Sequence, residues 1–312
     1  MKIKKIFLTG HNGLVGSSIL KILKKKKNYK IITVNKSSLD LRDYNKLDIF
    51  MRKNKFEYLI NAAAKVGGIY ANNKYKADFI LSNLQIQNNI IKLSHKYNLK
   101  SVILLGSSCI YPKFCKQPIK EGYLLTGSLE ETNKPYAVAK IAGAILAESF
   151  NFQYKTKFKF LMPSNLYGPN DNYDKNNSHF FPALIKKIFY AKKKKKNKIA
   201  LWGSGTPLRE LLFVEDFAEA CVFFLKKKTK ETIINVGSGK EMSILEYAKF
   251  IMREMNYKCS IKFDKSKPDG TPRKILNSKV ARSYGWKANI NLKKGFKLTF
   301  DHYLNSLNNE VN

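Results

Sequence analysis

The stretch LTGHNGLVGS, residues 8–17, sets Gly10, Gly13 and Gly16 between an apolar run, KKIFLTG (4–10), and GLVGSSILKILKKK (13–26), whose apolar residues recur at helical spacing. Strand, glycine turn and helix in that order form a phosphate-cradling corner. The first glycine permits a tight turn, the second a close backbone approach to a pyrophosphate, and the third close packing of helix on strand. The helix N-terminus then faces the phosphates.

Outward from this corner, short apolar runs alternate with amphipathic ones. YKIITVN (29–35), FEYLINAAA (56–64), KSVILLGSS (100–108) and KFKFLMPSNLYGP (157–169) read as strands. Long helices are expected from about residue 72 to 97 and over PYAVAKIAGAILAESFNFQY (135–154). Beyond Pro169 the alternation loosens, and TIINVGSG (232–239) returns to a strand followed by glycine. The expected fold is α/β: a Rossmann-type, doubly wound parallel sheet with a smaller, discontinuous α/β substrate-binding lobe. Residues 1–165 with about 213–237 would form the nucleotide-binding domain. Residues about 166–212 with 238–312 would form the lobe.

The 312 residues carry 58 Lys and Arg against 23 Asp and Glu, a net charge of +35. Only six are arginine (42, 52, 209, 253, 273 and 282), so the charge is almost all lysine. Specific nucleic-acid sites favour the forked guanidinium. Scattered lysine therefore predicts salt-sensitive, sequence-independent attraction to polyanions and no specific nucleic-acid partner. No apolar run is long enough for a membrane span. The start, MKIKKIFLTG, has too short an apolar stretch for a signal core. Four cysteines without a CxxC pair or metal-like grouping predict free thiols, no metal site and a cytoplasmic protein.

The segment NKPYAVAK (133–140) places Tyr136 and Lys140 one turn apart on one helix face. A phenol is a poor proton donor until a cation sits beside it. The glycine spacing and this YxxxK pair together resemble the extended short-chain dehydrogenase/reductase family. The resemblance adds Ser107, at the end of the fourth strand, as the hydroxyl that orients a substrate oxygen. Second strands of NAD-preferring members end in an acid. Here Asn35 and Lys36 stand there, and a cation suits the 2′-phosphate of NADP.

Seven stretches narrow the resemblance: AAAKVGGIYANN (62–73), LGSSCIYPK (105–113), PYAVAKIAG (135–143), MPSNLYGPNDNY (162–173), NSHFFPALI (177–185), WGSGTPLRELLFVED (202–216) and KPDGTPRK (267–274). Together they are similar to the GDP-L-fucose synthases over nearly the whole chain. That resemblance implies an NADPH-dependent epimerase-reductase. It would invert C3 and C5 of GDP-4-dehydro-6-deoxy-D-mannose and then reduce the C4 ketone.

Cys109 matches the family's base and His179 its acid. Cys109 lies two residues past Ser107, so strand alternation would put both side chains on one side. The cofactor would lie along Gly10, Asn12, Gly13, Leu14, Val15, Gly16, Lys36, Ala62, Ala63, Ala64, Leu105, Gly106, Lys140, Pro163, Ser164, Asn165, Leu166 and His179. Lys187, Trp202, Arg209 and Asn277 match positions that hold the GDP-sugar. Two departures stand out: Asn12 replaces a frequent arginine and Asn277 a familiar aspartate. The family's four-helix dimer interface would fall on the helices at 72–97 and 136–153, through residues such as Ile141, Ala144 and Ile145. The rival readings are a 4-epimerase with firmly held NAD and a polyanion-binding protein on the same scaffold.

Overall fold

The computed structural model describes residues 3–174, 178–266 and 269–309. Asn177, Lys267 and Pro268 of the motifs above lie outside the described residues. The central sheet is built from β1 (Lys4–Thr9), β2 (Tyr29–Ile32), β3 (Tyr58–Asn61), β4 (Ser101–Leu105) and β5 (Phe158–Pro163). The chain then forms β6 (Asn165–Tyr167), β7 (Lys198–Trp202), β8 (Leu208–Phe213) and β9 (Ile233–Val236). β9 returns to close the sheet, whose order is β2-β1-β3-β4-β5-β9 with every pair parallel. Chain order reverses across β1, between β2 and β3. Ligands of open α/β sheets bind at such a switch point, beyond the carboxyl ends of the strands.

The sheet is buried on both faces, as a parallel sheet requires. Ile6 and Leu8 of β1 point into a core shared with α1 (Leu14–Lys24), where Ile19, Ile22 and Leu23 pack with Phe217, Cys221 and Phe224. Phe7 points the other way, against Leu47 and Met51 of α2 (Tyr44–Asn54). The long-helix expectation for 72–97 is corrected. The segment divides into α3 (Ile69–Lys74) and α4 (Lys76–Lys96) because Tyr75 leaves helical geometry at φ −112°, ψ 44°. α4 packs along α5 (Lys134–Tyr154). The fit is close enough that a Cβ on Gly143 would stand 2.2 Å from the Gln87 amide oxygen.

A third core lies under α6 (Phe180–Lys193) and α8 (Ile244–Glu254), which follows α7 (Val214–Lys226). Phe181, Ile185, Tyr247 and Ile251 fill it. Its strands are β8, flanked by β10 (Glu241–Ser243) and β12 (Arg273–Lys274), and a parallel pair of β7 with β11 (Ser260–Asp264). α9 (Lys279–Ser283) and α10 (Leu292–Asn309) complete the chain. The single strand expected over 157–169 is also corrected. The chain breaks at Ser164, and β6 leaves the central sheet to pair with β8. Among the described residues, no helix is long and apolar enough to cross a membrane.

Candidate active site

The glycine corner forms at the switch point. Gly10 sits at φ +68°, where a side chain is strained, and a Cβ there would lie 2.6 Å from the Ala62 carbonyl carbon. A Cβ on Gly16 would meet the Gly10 carbonyl oxygen at 2.0 Å, so only glycine lets α1 approach the turn. Around Gly13 there is open space beyond Gly10, as a backbone facing a ligand requires. Thr9 donates to Asn61 Oδ1 at 2.7 Å, tying the ends of β1 and β3 beside Ala62, Ala63 and Ala64. At the outer end, Asn12 Nδ2 donates to Asn35 Oδ1 at 3.0 Å, and Lys36 is exposed beside the Asp40–Arg42 ion pair. Asn35 and Lys36, rather than an acid, follow the strand. Pro163 ends β5, and Ser164 Oγ is buried without a partner at the same edge of the sheet. Asn165 and Leu166 open β6, with Asn165 donating to the Glu210 carbonyl at 3.0 Å. These residues fit a dinucleotide whose 2′-substituent faces a cation.

Beside this corner, α5 delivers the phenol and the ammonium. Lys140 is buried, and its Nζ donates to the Leu105 carbonyl at 2.7 Å, next to Gly106. Burial pulls its pKa down to about 8. Its Nζ lies 5.8 Å from the centroid of the Tyr136 ring. Burial, and then the charge of Cys109, push the Tyr136 hydroxyl upward, so the phenol keeps its proton. The ring is braced edge-on by Phe79 at 6.4 Å.

The strand-alternation argument for Ser107 and Cys109 is corrected. β4 ends at Leu105, and Ser107 caps a single 3₁₀ turn over Ser108–Ile110. Its Oγ accepts from the Cys109 backbone N–H at 3.3 Å, so a turn, rather than a pleat, sets the relation of the two side chains. Cys109 opens on a cleft lined by Lys113, Gln117, Glu130, Thr271 and Lys274. Lys274 Nζ stands 3.8 Å from Cys109 Sγ. His179 is the N-cap of α6. Loss of solvation, followed by the charge of Lys274, lowers its pKa.

The positions matched to the GDP-sugar fall on the second group of strands. Arg209 lies on β8 with Nη1 donating to the Leu208 carbonyl at 2.8 Å, and Trp202 ends β7 with 68% of its surface exposed. Lys187 donates to the Ala200 carbonyl at 2.7 Å, and burial lowers its pKa. Asn277 accepts from the Lys279 backbone N–H at 2.9 Å, one residue ahead of the N-cap Ser278 of α9. Sequence reasoning overlooked two residues. Lys274 lay in a quoted motif but carried no signal of its own among so many lysines. Glu210, fully buried, accepts from the N–H groups of Gly239 at 2.6 Å and Leu276 at 2.8 Å and so ties three segments together.

Residues 6–237 match the NAD dependent epimerase/dehydratase family. A putative GDP-L-fucose synthase 2 of Arabidopsis thaliana is 45% identical, over 98% of this chain and 93% of its own. The chain belongs to the GDP-L-fucose synthases of that family. A GDP-L-colitose synthase of Yersinia pseudotuberculosis is 39% identical over 98% of this chain and all of its own. Among solved structures, a GDP-L-fucose synthetase of Naegleria fowleri bound to NADP superposes with a TM-score of 0.90 at 28% identity. That match covers 99% of this chain and 95% of that one.

Proposed function

We propose that this enzyme converts GDP-4-dehydro-6-deoxy-D-mannose to GDP-L-fucose by inverting C3 and C5 and then reducing C4 with NADPH. The observation that carries this reading is the meeting of two chemistries at one place. A Tyr136–Lys140 pair lies at the carboxyl end of β4, and Cys109 in the next turn has its sulfur facing an ammonium. A reductase alone has no use for the second.

NADPH, when bound along the glycine corner, supplies the hydride. The C4 ketone makes the C3 and C5 protons removable, because the electron pair moves onto the ketone oxygen. At each inversion Cys109 takes the proton as base and His179 delivers one to the opposite face of the ring, and both groups regain their starting protonation states from solvent before the next. A lowered imidazole pKa makes the protonated form a stronger acid and a scarcer one. Ser107 orients the C4 oxygen, Tyr136 donates its proton to that oxygen, and Lys140 steadies the charge left on the phenol. Lys187, Trp202, Arg209 and Asn277 hold the nucleotide sugar.

The division of labour follows the two groups of strands: residues 1–165 with about 213–237 for the cofactor, the remainder for the substrate. The proposed homodimer uses the outer faces of α4 and α5. Ile141 and Ala144 belong to the core of this chain, while Leu81, Val138 and Ile145 remain 57%, 38% and 38% exposed and available to a second copy. Four unpaired thiols support a cytoplasmic enzyme. The test is incubation with GDP-4-dehydro-6-deoxy-D-mannose and NADPH and identification of the product sugar. GDP-L-fucose with stoichiometric NADPH oxidation is expected. A C4-reduced sugar with C3 and C5 unchanged would overturn the epimerase half.

A further inference from the structure

We infer that Lys274 is the fixed counter-charge of the Cys109 sulfur, a positioning residue for the inversion step. The inference rests on the reading of Cys109 as the base. Its foundation is a contact across 165 residues of sequence: Lys274 Nζ stands 3.8 Å from Cys109 Sγ.

The lysine is held in place from several sides. β12 runs parallel to β8 with Lys274 in register with Arg209. The preceding residue, Arg273, grips the Glu241 carboxylate with Nη2 at 2.6 Å and Nε at 2.9 Å. The next two backbone N–H groups are also taken. Ile275 donates to Gln117 Oε1 at 3.0 Å, and Leu276 to Glu210 Oε2 at 2.8 Å. A side chain rooted in so constrained a strand has a defined reach. No carboxylate claims it: among the described residues, Lys274 forms no ion pair. The acids around it are committed elsewhere, Glu130 to Lys113 at 2.8 Å, Glu241 to Arg273 and Glu210 to backbone N–H groups. The sulfur is the partner left for the ammonium.

A thiol acts as a base only as thiolate, and a neighbouring ammonium stabilises that form. The same cation opposes a positive imidazole: after loss of solvation, the charge of Lys274 also lowers the pKa of His179. One positive charge therefore acts on both neighbours in the same sense, favouring the form that has given up its proton. The other titratable groups bearing on this sulfur are Tyr136 from α5, the Lys113–Glu130 pair and Tyr111 at the cleft wall, and Cys115, which also feels Lys274. Lys274 is the cation in contact with the sulfur.

The experiment compares Lys274→Met and Lys274→Arg with the unaltered full-length enzyme. Iodoacetamide labelling of the Cys109 peptide is followed by mass spectrometry across pH, and the His179 ring protons by NMR. NADPH fluorescence titration reports whether each variant is folded. In Lys274→Met, labelling at neutral pH should fall about ten-fold or more and its rise should move to higher pH, while His179 should titrate higher. Lys274→Arg should restore both. A packing defect does not move both groups to higher pH and then recover with a different cation of the same charge. Unchanged Cys109 labelling in a folded Lys274→Met protein would overturn the counter-charge. Slowed labelling with normal deuterium uptake at C3 and C5 would leave the counter-charge standing and remove Cys109 from the role of base.

Discussion

The two corners of the cleft are built differently. The reductive corner comes from one helix and one strand end: Tyr136 and Lys140 sit a turn apart on α5, and Lys140 is fastened to β4 through the Leu105 carbonyl. Its lysine is buried, and burial lowers its pKa to about 8. The inverting corner draws Cys109, His179 and Lys274 from a turn after β4, the start of α6 and a two-residue strand. There the Lys274 ammonium stands against the Cys109 sulfur, and its charge adds to the loss of solvation at His179. In the proposed mechanism, hydride chemistry therefore rests on local geometry that a single helix presets, and proton chemistry on long-range packing that brings three segments together.

The largest separation of the two corners is expected from Tyr136→Phe. Loss of the phenolic proton should slow NADPH oxidation by about 10²–10⁴-fold, read as absorbance loss with the keto sugar. Oxidation near the unaltered rate would remove Tyr136 from the reduction. Raising the pH should come next. Lys140 is cationic below about 8 and neutral above it, so reduction should decline by about ten-fold per unit as pH climbs beyond that value. A pH–rate profile for NADPH oxidation with pre-epimerised ketone isolates this step. A profile flat well past that point would show that the ammonium charge is not needed.

Lys36→Asp should lower the preference for NADPH over NADH by about ten-fold, from the ratio of kcat/KM values, because a carboxylate repels the 2′-phosphate. An unaltered ratio would move the selection to another residue, with Arg42 the nearest candidate. The smallest effect should come from Glu210, which joins the two groups of strands. Burial raises its pKa from 4.5 to about 7. A raised carboxyl favours the protonated folded state, so this contribution to stability is full below 4.5 and is lost as pH rises through about 7. Glu210→Gln should flatten that part of the melting-temperature profile by a few degrees. An identical slope in the variant would assign the pH dependence elsewhere.

Much of the first corner could be read from the sequence. The glycine turn, the apolar runs of β1, β3, β4 and β5, and the i, i+4 spacing of Tyr136 and Lys140 are local patterns, and local patterns encode local geometry. Where tertiary pairing intervened, reading stopped. Nothing in 157–169 announces that Ser164 breaks the strand so that β6 can join β8. The pleat drawn through Ser107 and Cys109 was replaced by a turn because Ser107 spends its oxygen on capping. Roles for Cys109 and His179 came from resemblance to a family, since a lone thiol and a loop histidine carry no pattern. Lys274 was invisible for the same reason its charge is unremarkable in this chain: only the fold shows which lysine faces a sulfur.

The central claim is that one cleft holds two separable chemistries. The most direct test is proton NMR of GDP-4-dehydro-6-deoxy-D-mannose in deuterated water, with Cys109→Ser and Tyr136→Phe proteins and without NADPH. The account predicts no deuterium uptake at C3 or C5 with Cys109→Ser and continued uptake with Tyr136→Phe. It also predicts that Cys109→Ser still oxidises NADPH when given ketone already inverted at both carbons. Normal uptake in the Cys109→Ser protein would contradict it and leave that thiol a bystander beside Lys274.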